Sequence, residues 1–169
     1  MARLHPEILA YLELLATRCR ALYEDNLLSL VLYGSVVRGT FRPTSDIDLL
    51  VLLRRSTLSW GKRISEFLHA VPVHPDVITA TGRLRQLNLP SRVEPLILTE
   101  SELATHPPIL LDLTEEAMIL EDRAGVFAEE IARVRKRLEE LGARRVWLSG
   151  DRWYWVLTPS IRPGEIITI

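Results

Sequence analysis

The chain has 169 residues, 47% hydrophobic and 25% charged, with a formal net charge of -1 at neutral pH. That length suits one domain with a small appendage, and a core that needs no disulfide or structural metal. The near-neutral charge argues against a processive polymerase or a nonspecific nucleic-acid binder, which rely on a broad positive field.

The single cysteine, Cys19, excludes an intrachain disulfide. The N-terminal stretch lacks the basic start, apolar run and cleavage site of a signal peptide. No apolar run approaches the length needed to cross a bilayer. The expectation is therefore a cytoplasmic, soluble protein in a reducing compartment, with no membrane partner.

From Pro6 to Tyr23, Ile8, Leu12, Leu15, Cys19 and Leu22 recur at helical spacing, which predicts an amphipathic helix opened by Pro6. Cys19 falls on its apolar face, so a buried and inert thiol is expected. Leu27 to Tyr33 is apolar at nearly every position and reads as a strand buried on both faces. Gly34 to Ser45 is rich in turn formers, and a second buried strand runs from Ile47 to Leu53. Trp60 to Val71 looks helical, with Ile64, Phe67 and Leu68 on one side. Val73 to Leu89 is ambiguous, because Gly82 weakens a helix.

A third apolar strand covers Val93 to Leu98, and Thr99 with Glu102 has capping-box spacing for a helix start. Pro107 and Pro108 interrupt that helix and suit the opening of another turn. Ala117 to Leu120 reads as a strand. Phe127, Ile131, Val134, Leu138 and Leu141 mark an amphipathic helix ending at Gly142. Arg145 to Leu148 and Trp153 to Leu157 flank Ser149-Gly150-Asp151 as a β-hairpin. Pro163-Gly164 is a turn before a last apolar strand, Glu165 to Ile169.

The informative stretch runs from Leu30 to Leu53. A buried strand delivers Gly34-Ser35, ten residues follow, and Asp46-Ile47-Asp48 opens the next buried strand. Gly34 lets the backbone turn sharply and approach a ligand. Ser35 adds a hydroxyl beside free N–H groups, a turn suited to triphosphate oxygens, and Arg38 can neutralise phosphate charge. Asp46 and Asp48, one residue apart on a strand, share a face. Two such carboxylates repel unless a cation lies between them, and Mg²⁺ is held by a few carboxylates plus phosphates and water. Together these parts suit in-line substitution at phosphorus.

Gly34-Ser35, the ten-residue spacer and Asp46-x-Asp48, each attached to an apolar strand, resemble the DNA polymerase β-like nucleotidyltransferase superfamily. The longer strings Gly34-Ser-Val-Val-Arg38-Gly39 and Ser45-Asp-Ile-Asp48 resemble its minimal bacterial and archaeal members. The diagnostic match spans about twenty residues, and the order of strands and helices extends it to roughly residue 100. Trp153-Tyr154-Trp155 and Pro163-Gly164-Glu165 are similar to an extension found in some of these small proteins.

The resemblance implies an α/β (α+β) fold: a small mixed or antiparallel sheet with flanking helices. It places a polymerase β-like nucleotidyltransferase core at 1–122 and a C-terminal helix and β-hairpin extension at 123–169. It implies Mg²⁺ held by Asp46 and Asp48, and a nucleoside triphosphate, ATP by abundance, held at Gly34, Ser35 and Arg38. It also implies a third carboxylate on the next strand, to ligate metal or take the acceptor's proton. Glu94 is favoured there, because its strand reads more cleanly and a helix follows. Asp76 is the alternative, with Val77 to Ala80 as the third strand in that case.

The resemblance further raises AMP transfer to a partner protein such as a small helical toxin. A small-molecule acceptor stays open, nucleic acid is disfavoured, and a homodimer through the tail is an option no specific feature selects. The rival class is a catalytically weak or inactive module that binds nucleotide or protein through its C-terminal helix and aromatic hairpin. The four histidines have no metal-pair spacing and read as surface or loop residues. Arg133, Arg135, Lys136 and Arg137 interleave with Glu129, Glu130, Glu139 and Glu140, the pattern of a solvated helix face.

Overall fold

The structure, a computed structural model, describes residues 4–148, 152–160, 167 and 169. Helix α1 (Pro6–Tyr23) begins with Pro6 in its first turn. The His5 side chain accepts from the Glu7 N–H as its cap. Strands β1 (Leu27–Tyr33) and β2 (Asp46–Leu53) flank the four-residue helix α2 (Ser35–Arg38). Helices α3 (Trp60–Ala70) and α4 (Pro75–Gln86) precede strand β3 (Arg92–Thr99). Short helices α5 (Glu100–Leu103) and α6 (Ile109–Leu113) lead to strand β4 (Ala117–Asp122), then helix α7 (Val126–Leu141). Strands β5 (Arg144–Trp147) and β6 (Trp153–Val156) form a separate antiparallel ribbon.

The main sheet is mixed, with order β3-β2-β1-β4; β1 runs antiparallel to both β2 and β4, and β2 runs parallel to β3. Apart from Ser29 in β1 and Asp46 and Asp48 at the start of β2, these two strands are apolar, because helices cover both faces. On one face Leu30, Leu32, Ile47, Leu49, Val51 and Ile97 meet Ile8, Leu12, Leu15 and Cys19 of α1, Phe67 of α3, and Val77 and Leu84 of α4. On the other, Leu28, Val31, Leu50, Leu52 and Leu98 meet Leu103, Leu110, Leu113 and the α7 stripe Phe127, Ile131, Val134 and Leu138. Asp122 ties β4 to α7. It accepts from Ser29 Oγ at 2.7 Å and from the Phe127 and Ala128 N–H groups at 3.1 and 2.9 Å. Burial pushes the Cys19 thiol up to about 12, so the group is inert at neutral pH.

Two sequence expectations change. The ambiguous stretch is the helix α4, with Val77 and Leu84 inward and Ile78 and Leu87 outward. The inward packing of Val77 and Leu84 overrides the helix cost of Gly82; a Cβ added there would meet nothing. Leu68 of α3 faces solvent. The inner position one turn before Phe67 belongs instead to Arg63, which is 2% exposed. The turn expected at Pro163-Gly164 lies outside the described residues. Of the final strand, only Ile167 and Ile169 are described, and neither is in a strand.

Arg63 is buried because Glu102 receives its guanidinium as a fork, at 2.7 and 2.6 Å. Glu102 also closes the capping box with Thr99, so one carboxylate fastens α3 to the start of α5. Arg63 and the Thr99 hydrogen bonds hold the Glu102 carboxyl down to about 2. A depressed carboxyl stabilises the fold above its unfolded value and loses that contribution as pH falls toward 2. Arg63→Met is expected to cost about 1.5–2 kcal/mol at pH 7, the lower half of the range for charged hydrogen bonds because Glu102 is partly solvated. Urea melts at pH 7 and pH 3 check this, and the gap between wild type and variant should shrink at the lower pH.

Candidate active site

Strand alternation sends the odd residues of β2, Ile47 to Leu53, into the α1 side of the core. It sends Asp46, Asp48, Leu50 and Leu52 to the face covered by α6 and α7. Leu50 and Leu52 lie under those helices, while Asp46 and Asp48 extend past them. The parallel register sets Arg92 opposite Asp46 and Glu94 opposite Asp48, so three carboxylates and one guanidinium share one corner of the sheet. Across β1, Tyr33 pairs with Asp48.

Gly34 and Asp48 fit each other by exclusion. Gly34 has φ +74°, and a Cβ on it would lie 2.1 Å from Asp48 Oδ2. Only a residue without a side chain lets the turn and the carboxylate approach this closely. Ser35 opens α2, whose first-turn N–H groups have no partner within the helix. Arg38 closes α2 and bonds to the Glu116 carboxylate, which Arg145 of β5 also binds. Two guanidinium groups on one carboxylate leave a net positive charge beside Gly34. The Arg38 guanidinium also stands 4.9 Å from the Trp153 ring centre.

A cavity of about 170 Å³ lies between these parts, lined by Tyr33, Gly34, Arg38, Asp48, Asp112 and Trp153 among others. Its far wall comes from the C-terminal ribbon. Trp153 and Trp155 both donate their indole N–H to Asp112 Oδ1, at 2.8 and 2.9 Å, while Tyr154 on the opposite side is half exposed. A larger cavity of about 640 Å³ lies at the other end of the sheet, around Tyr23, Arg54 and Arg55. It contains none of the motif residues.

Asp48 has its carboxyl pushed up to about 6, by burial first and then by the charge of Asp46, with Glu94 adding and Arg38 opposing. Arg92 holds Asp46 below its usual range through Nε–H···Oδ1 at 2.5 Å and Nη2–H···Oδ2 at 2.7 Å. Burial and the neighbouring Asp48 and Glu94 charges push the Tyr33 hydroxyl up to about 12, so it stays protonated.

The donor set fits a hard divalent cation. Three neighbouring carboxylates, one with its pKa raised by burial first and by the charges of the other two second, have the repulsion that such an ion relieves. Among the described residues no ready-made cage of three or more His, Cys, Asp or Glu exists. Mg²⁺ needs none, since phosphates and water complete its octahedron.

Each site residue expected from sequence has a definite place. Asp46, Asp48, Gly34, Ser35, Arg38 and Glu94 gather at this corner. Asp76 does not: it opens α4 and bonds Arg18 at 2.8 Å. Val77 to Ala80 form no strand, because their apolar residues are spaced for a helix and pack on α1. Sequence reading missed Arg92, although its alternation with Glu94 was legible. It also missed Tyr33, Asp112, Glu116 and Trp153 as neighbours, which no local signal marks.

A family model described as "Nucleotidyltransferase domain" matches residues 12–149. No curated protein matches the chain in sequence. Among solved structures, spectinomycin adenyltransferase AAD(9) from Enterococcus faecialis with ATP and spectinomycin is similar in fold. Its TM-score is 0.51 and its identity 14%, over 79% of this chain and 66% of that one; the present chain thus spans less than two thirds of its length. A toxin-antitoxin with AMP-PNP follows at TM-score 0.45 and 17% identity, over 76% and 90% of the two chains. A mutant of the toxin-antitoxin MntA-HpeT has TM-score 0.43 and 16% identity, over 82% and 94%.

Proposed function

The chain belongs to the nucleotidyltransferase domain family, and from that premise we infer that it transfers a nucleoside monophosphate, AMP from ATP, to a hydroxyl acceptor in a Mg²⁺-dependent reaction. The observation that carries this reading is the joint placement of Asp46, Asp48 and Glu94 on one face, against a glycine turn that admits no side chain beside Asp48.

In this reading Asp46, Asp48 and Glu94 hold the metal. The ion, when bound, neutralises charge on the α-phosphate and on the departing pyrophosphate. Gly34 and Ser35 receive triphosphate oxygens on main-chain N–H and hydroxyl groups. Arg38, fixed by Glu116, supplies positive charge at the cavity. Glu94 is exposed, and so is reachable by an incoming acceptor whose hydroxyl proton it takes as the oxygen attacks the α-phosphorus. Trp153 and Asp112 close the cavity on the side away from Glu94.

Calorimetric titration of the four nucleoside triphosphates, each with Mg²⁺, tests the reading. Binding by a folded wild type that requires Mg²⁺ supports it; no binding of any of the four sinks it. The same titration carries a pH signature. Asp48 is protonated below about 6, so Mg²⁺-dependent affinity should fall as pH drops from 7 to 5 and recover on return. Incubation with α-labelled ATP then separates a protein acceptor, which retains label on a gel, from a small molecule, which does not.

The binding-module reading draws on the exposed aromatic residues of the ribbon, Trp147 at 51% and Tyr154 at 49%, which lie on its opposite faces. It requires no transfer of the labelled nucleoside monophosphate, so the incubation with α-labelled ATP decides between the two.

A further inference from the structure

The side chain that faces Asp46 most directly is not a metal-binding group but Arg92. Its fork engages both Asp46 oxygens, while the Arg92 side chain as a whole is 71% exposed. Arginine cannot discharge by losing a proton, so a second cation at Asp46 meets a full positive charge unless the side chain moves. The fold leaves room for that movement. Among the described residues, strand β3 is the outer strand of the sheet, with β2 as its one neighbour, and no further strand crowds Arg92 from outside. Meanwhile the guanidinium masks one of the three negative charges that would otherwise attract a metal to the corner.

We propose that Arg92 is a resident counter-cation that keeps divalent metal off the Asp46–Asp48–Glu94 corner until nucleotide arrives. This rests on the reading above that these carboxylates hold Mg²⁺. A triphosphate brings both the metal's remaining oxygen ligands and a new anionic partner for the released guanidinium. Metal and nucleotide then enter as a coupled pair, and free metal alone competes poorly with the Arg92 fork. Arg92 is accordingly a positioning residue that acts through Asp46.

The test is metal binding without turnover. Mn²⁺ alone is titrated calorimetrically into wild type, Arg92→Gln and Arg92→Lys. Melting temperatures are recorded with and without the ion, and the titrations are repeated with a non-hydrolysable ATP analogue present. Arg92→Gln is expected to bind free Mn²⁺ about fivefold more tightly than wild type, the scale of losing one exposed ion pair. It should also gain more in melting temperature from the ion. Arg92→Lys should fall between the two, because it keeps the charge and loses the fork. The enhancement of metal affinity by the analogue should be smaller in Arg92→Gln.

Equal or weaker Mn²⁺ binding by Arg92→Gln overturns the proposal, and weaker binding rescued by lysine would make Arg92 a support for Asp46 instead. Absence of Mn²⁺ binding in all three proteins also overturns it. The function reading fails separately, if Mg²⁺-ATP itself does not bind wild type.

Discussion

Asp48→Asn is expected to weaken Mg²⁺-dependent nucleotide binding on the order of 100-fold and to raise the melting temperature of the nucleotide-free protein. The two effects share one cause. Asp48 is crowded by Asp46 and Glu94 in a half-buried position, and its carboxyl is raised to about 6. A carboxyl raised on folding contributes most to stability below its unfolded value near 3.8; that contribution is lost as pH rises through the folded value. At pH 7.5 the wild type carries the cost of burying the Asp48 charge and its repulsion from Asp46 and Glu94, and the asparagine variant carries neither.

A gain of about 1 kcal/mol is expected, well under the full shift because solvent reaches the corner. It corresponds to roughly 2–4 °C in Tm for a chain of this size. The gain should vanish by pH 4, where both side chains are neutral. Affinity moves the other way: losing one charged ligand oxygen is worth about 2–3 kcal/mol, or on the order of 100-fold. Calorimetry and thermal melts on the same samples check both halves. A variant that is less stable and still binds would contradict the assignment of Asp48.

Gly34→Ala has the largest expected effect on the fold itself. The glycine sits at φ +74°, and the new Cβ would lie 2.1 Å from Asp48 Oδ2 and 2.9 Å from its Cγ. Holding alanine in such a backbone costs about 1–3 kcal/mol, and the collision adds a comparable amount unless Asp48 turns away. A loss of roughly 2–4 kcal/mol is expected in urea melts, with nucleotide binding lost as well. Part of that loss belongs to the Asp48 contact alone, so Gly34→Ala should cost less in an Asp48→Ala background, a coupling a double-mutant cycle measures. Gly82→Ala is the control: nothing lies within 4 Å of its would-be Cβ, and in a helix interior it should stabilise by about 0.5–1 kcal/mol.

Much of the architecture was legible because periodicity and punctuation agree along the chain. Pro6 to Tyr23, Leu27 to Tyr33 and the Thr99–Glu102 capping box were read from sequence at the positions they occupy. Where reading stalled, the cause was tertiary. Gly82 lowered the helical signal of α4, and only packing of Val77 and Leu84 against α1 overrides it. Periodicity groups Leu68 with Ile64 and Phe67, but Leu68 faces solvent while Arg63, paired with Glu102, is buried one turn before Phe67. The Asp76 alternative survived at sequence level because a short apolar run does not distinguish strand from helix.

The sequence alone determined that a glycine turn and two carboxylates one residue apart stand at the ends of adjacent buried strands. Those are local facts, governed by strand period and backbone sterics. Tertiary structure decided which distant residues meet them. Parallel pairing brought Glu94 level with Asp48 and Arg92 level with Asp46, and the C-terminal ribbon brought Trp153 against Arg38 across more than a hundred residues of chain. Strand register and the docking of a ribbon on a helix depend on contacts summed over the whole core, and no short window of sequence contains that sum.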